Sequence, residues 1–60
     1  MRLEVKVLKV LHEVDASADE ITKMVVAKPE RVSEVLNNLL DMGLLTVKPL
    51  GGKEQVFTYP

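Results

Sequence analysis

The stretch Ser17-Ala-Asp-Glu-Ile-Thr-Lys-Met-Val-Val-Ala-Lys-Pro-Glu-Arg-Val-Ser-Glu-Val-Leu36 decides the fold. Its first four residues are a capping box: the Ser17 hydroxyl can accept from the backbone N–H of Glu20, and the Glu20 carboxylate can accept from the N–H of Ser17. A helix is expected to start there, with Ile21, Met24 and Val25 turned inward, and to end by Val26 or Ala27. Pro29 suits the first turn of a following helix, where its missing N–H is no loss, and it disfavours helical geometry at Lys28. Two helices therefore meet across a short turn. The second, Pro29 to Met42, places Val32, Val35, Leu36, Leu39 and Gly43 on one face and is the most strongly patterned segment of the chain.

Upstream, Leu3, Val7, Val10, Leu11 and Val14 fall on a single stripe at about 100° per residue, the signature of a first helix resting on a core. Leu3, Val5 and Val7 also alternate, which leaves a short initial strand open. Met1, Val5, Leu8 and His12 line a second face of the same helix. Two readings are open for that face: scattered apolar exposure, which is ordinary, or a helix-to-helix homodimer contact. Asp15 to Ser17 punctuate the passage to the second helix. Downstream, Gly43 is placed to take the left-handed geometry that closes a helix. Leu44 to Lys48 and Glu54 to Tyr59 then read as strands joined through Gly51-Gly52, with Pro49 confining the first to an edge or a short length. Phe57 and Tyr59 alternate onto one face of the last strand, suited to packing on the helices.

Sixty residues that are 47% hydrophobic and 28% charged have enough apolar surface to order themselves, so residues 1–60 are read as one domain. A chain of this length is marginal unless a disulfide, a metal or a partner adds stability. Without Cys, and with His12 as its one imidazole, it holds no disulfide, thiolate zinc site or poly-His centre, so no cofactor or metal is expected. Self-association stays open. No nucleophile–base pair or glycine-rich loop leading into a helix is present, so an enzyme is not expected. Eight Lys and Arg against nine Asp and Glu leave a net charge of −1 and a pI of about 5.7, not the footprint of a strongly basic nucleic-acid binder. No apolar run nears the ~20 residues that span a bilayer, and Glu4, Lys6 and Lys9 break any signal-peptide core. The expectation is a soluble, cytoplasmic protein with no membrane partner.

A helix, a capped helix, a short turn, a longer amphipathic helix and a glycine-tipped hairpin follow one another in the order of a winged helix-turn-helix domain. The run from Ser17 to Leu36, followed by Leu39, Asp41, Gly43, Leu44 and Leu45, resembles the winged-helix transcriptional regulators of the MarR and ArsR type. That resemblance covers about 45 residues and implies an α+β fold: a three-helix helix-turn-helix core with a C-terminal two-stranded β-hairpin wing. It further implies that the third helix enters the major groove of double-stranded DNA while the wing meets the backbone or minor groove. Carried onto this sequence, the DNA-contacting residues are Lys28, Arg31, Ser33, Glu34, Asn37 and, at the margin, Asn38, with Lys48 and Lys53 on the wing. Arg can bridge two acceptors on guanine, Asn can pair with adenine, and Lys and Ser can hold phosphates.

The chain departs from the family pattern in three places. Val26 stands where the family often has Gly, and since a β-branched residue resists positive φ, a different or longer turn is expected. Glu34 stands where Arg is frequent. Glu30, Glu34, Asn37 and Asp41 share the solvent face of the third helix, which is therefore acidic. Over residues 28–38, Lys28 and Arg31 are balanced by Glu30 and Glu34; the hairpin adds Lys48 and Lys53 against Glu54. Four candidate cations per monomer support only weak phosphate binding unless two copies act together through the first helix. The leading expectation is a homodimeric DNA-binding regulator. The alternative is a winged-helix protein–protein interaction module, which the acidic face and near-neutral charge favour.

Overall fold

The computed structural model describes residues 2–49 and 55–60. Three helices, α1 (Leu3–Glu13), α2 (Ala18–Val25) and α3 (Pro29–Asp41), precede two short strands, β1 (Thr46–Pro49) and β2 (Gln55–Thr58). The strands pair antiparallel with Thr46 opposite Thr58 and Pro49 opposite Gln55. This α+β arrangement is consistent with a winged helix. The glycine pair expected at the hairpin tip lies outside the described residues. No described helix is long and apolar enough to cross a membrane.

Each helix is there for a local reason. α2 begins with both halves of the capping box made: Glu20 N–H donates to Ser17 Oγ at 3.3 Å and Ser17 N–H to Glu20 Oε1 at 3.1 Å. α3 begins with Pro29 in its first turn behind an extended Lys28. α1 is helical from Leu3, so the start of the chain is not a strand. It ends at Glu13, one residue short of its apolar stripe. Val14 is extended and half exposed, while Val7 and Leu11 carry the buried part of the stripe.

The ends of α2 and α3 use one device with two different residues. At α3, Gly43 takes φ +76° and the chain closes through Gly43 N–H to Leu40 C=O and Leu44 N–H to Leu39 C=O, both at 3.0 Å. That is a Schellman cap, and the left-handed residue within it favours glycine. At α2 the left-handed residue is Val26, with φ 54° and ψ 62°, and the corresponding bond, Ala27 N–H to Thr22 C=O, stretches to 3.4 Å. The different or longer turn expected at Val26 is thus not what the chain builds. It keeps the short left-handed turn and forces a β-branched residue into it. The gain is tertiary: Val25 before the turn is buried and Ala27 after it packs against the core, and a left-handed residue brings both inward.

The core joins one face of every helix. Val7 and Leu11 of α1, Ile21 and Val25 of α2, and Val32, Val35, Leu36 and Leu39 of α3 form one buried cluster with Ala16 and Leu45, capped by a half-buried Phe57. Met24, expected inside, is 49% exposed: α2 ends one residue later, and two inward residues suffice for so short a helix. A further strand-like contact lies between α1 and α2. Ala16 bridges Phe57, whose N–H donates to the Ala16 carbonyl at 2.8 Å and whose carbonyl accepts from Ala16 N–H at 3.3 Å. At Phe57, β2 therefore lies between Ala16 on one side and β1 on the other.

Candidate nucleic-acid interface

α3 is sharply two-sided. Val32, Val35, Leu36 and Leu39 are buried, and Lys28, Arg31, Ser33, Glu34, Asn37 and Asn38 are all exposed. The six candidates are not a single row. By helical rotation Arg31 and Asn38 stand on one flank, about 20° apart, and Ser33 and Asn37 on the other, about 40° apart. Between the flanks runs the crest of Glu30, Glu34 and Asp41, also exposed. Arg31 does not stand alone: its guanidinium pairs with the Glu34 carboxylate at 3.5 Å, the one ion pair among the described residues. With both side chains about 60% exposed (60% and 63%), this pair holds weakly and can open toward a stronger anion.

Lys48 is exposed on β1, in register with Val56 of β2. Lys53 lies outside the described residues, as does Met1 of the candidate dimer face. On that face Val5 is 40% exposed and Leu8 is half-buried. His12 is exposed, but part of the face is already covered by the chain itself. The Tyr59 hydroxyl donates to the Leu8 carbonyl at 3.1 Å, and the Tyr59 ring meets the His12 imidazole edge to face at 5.3 Å. Shallow grooves remain on either side of Tyr59, one bordered by Val5, Leu8 and Lys9 and the other by Glu13, Val14 and Asp15.

Around the candidate Lys28, the α2–α3 turn contributes surface that sequence reasoning passed over: Val26 is 88% exposed, and Lys23 is exposed as well. The sequence signal for this surface is a valine at a position whose geometry suits glycine. Among the described residues no group of acidic and imidazole side chains is placed to hold a metal ion. Comparison with protein-family models, with curated proteins and with solved structures gives no match.

Proposed function

We propose that the protein is a DNA-binding winged-helix transcriptional regulator, inserting α3 into the major groove and working as a homodimer through α1. The observation that carries the reading is the division of α3: its apolar face is consumed by the core, while every polar side chain from Lys28 to Asn38 is turned away from it. A capped helix ahead of a tight turn presents that surface, and a hairpin bearing Lys48 follows it. In the groove, Arg31 would exchange Glu34 for guanine acceptors or a phosphate, and Ser33 and Asn37 would meet base edges from the other flank.

Titration of duplex DNA into the isotope-labelled protein at low salt tests this. The reading expects amide shifts concentrated at residues 28–38 and around Lys48, with affinity falling steeply as salt rises. Unmoved amides in those segments would refute it. The crest of Glu30, Glu34 and Asp41 favours a second reading, a docking module for another protein. It predicts a complex that persists at salt high enough to strip DNA.

A further inference from the structure

Two penalties coincide at Val26. A left-handed backbone disfavours any residue with a Cβ, and a β-branched one most of all, and the isopropyl group is left almost wholly in water. At the end of α3, where the same cap geometry is needed, the chain uses Gly43. Folding alone therefore accounts for a left-handed residue at position 26 but not for a valine. A side chain set against both backbone and solvent preference points to a contact made outside the molecule.

The surroundings define the chemistry of that contact. Between Ile21 and Pro29 the chain carries Lys23 and Lys28 and no acid, although its net charge is −1. Both lysines are exposed, and Met24 adds apolar surface. An apolar tip flanked by two cations fits a surface that offers a methyl group between anions. In duplex DNA that surface is the thymine C5-methyl in the major groove, between the two phosphate backbones. The turn leads directly into Lys28 and α3, so the same groove can hold both.

We propose that Val26 is a specificity-determining residue that packs on a thymine methyl, with Lys23 and Lys28 on flanking phosphates. This deepens the DNA-binding reading and rests on it. The test compares alternating dA-dT and dA-dU duplexes, which differ only in the C5-methyl, by fluorescence anisotropy at fixed salt. The native protein should bind the methylated duplex about four- to fifteenfold more tightly, the effect of one or two buried methyl groups. Val26→Ala should bring that ratio close to one; at so exposed a site it keeps the fold, which a thermal melt checks. Lys23→Gln should weaken both duplexes equally and reduce the salt slope by about one. Binding with no methyl preference, or a preference that Val26→Ala leaves intact, overturns the role of Val26 alone. Failure of the native protein to bind these two duplexes while binding one of mixed sequence with G·C pairs overturns this inference alone; failure to bind all three overturns the DNA reading with it.

Discussion

Replacing Val26 by glycine should stabilise the protein, although it removes a whole side chain. Left-handed geometry costs an L-residue about 1–2 kcal/mol, and Val26 sits at φ 54°, ψ 62°. Its side chain returns little, because burial contributes in proportion to area removed from water and 88% of this residue is still in water. Against the relief stands the extra freedom glycine gives the unfolded chain, about 0.5–1 kcal/mol. The net gain is about 0.5–1 kcal/mol, which for a domain of this size raises Tm by roughly 4–8 °C. Asparagine, which tolerates the left-handed region without glycine's entropy, should give a similar gain. Alanine keeps a Cβ and should give less. Thermal and urea melts of the three variants read the order, and slower exchange of the Ala27 amide, whose bond to Thr22 is now 3.4 Å long, would locate the improvement. A lower Tm for Val26→Gly, or alanine outranking glycine, would show that the side chain contributes packing and that the strain argument is wrong.

Ser17→Ala removes the acceptor for Glu20 N–H and should cost about 1 kcal/mol in urea denaturation; no measurable loss would mean the capping box is idle. Tyr59→Phe deletes the hydroxyl bond to the Leu8 carbonyl and should cost about 0.5–1.5 kcal/mol, with a shift of the His12 ring resonances as the neighbouring aromatic loosens. Arg31→Ala should change stability by less than about 0.5 kcal/mol, because its pair with Glu34 is exposed, yet weaken duplex binding and lower the salt slope by about one. Val5→Glu puts a charge on the open part of the α1 face. If α1 joins two copies, sedimentation should show a dimer converted to a monomer, and a mass unaffected by the substitution would remove that face from consideration.

Much of this fold could be read directly, because the signals were local and chemical. Ser17 and Glu20 announce the start of α2 by the bonds they can make, Pro29 the start of α3, and Gly43 its end. The stripe of Val32, Val35, Leu36 and Leu39 repeats long enough to fix both a helix and its buried face. What escaped depends on distant partners. A lone Ala16 carries no alternation to mark it as strand, since its pairing is decided by Phe57. Met24 looked inward by periodicity, but α2 is too short to need it. Val26 was weighed by its intrinsic preference, whereas the inward return of Val25 and Ala27 determines its backbone. The candidate interface divides in the same way: exposure of the polar residues of α3 followed from periodicity, but the pairing of Arg31 with Glu34 and the exposed, left-handed Val26 become visible only in three dimensions.

The position of β2 between Ala16 and β1 bears on how the chain reaches its final state during synthesis. All three helices leave the ribosome before the strand that completes the sheet, and until Phe57 emerges neither Ala16 nor the residues of β1 have a backbone partner there. The late strand also brings Phe57 to pack against the apolar cluster that the helices form. A nascent protein halted before Gln55 would therefore present an uncovered patch to chaperones and proteases, and β2 acts as the latch that ends that exposure.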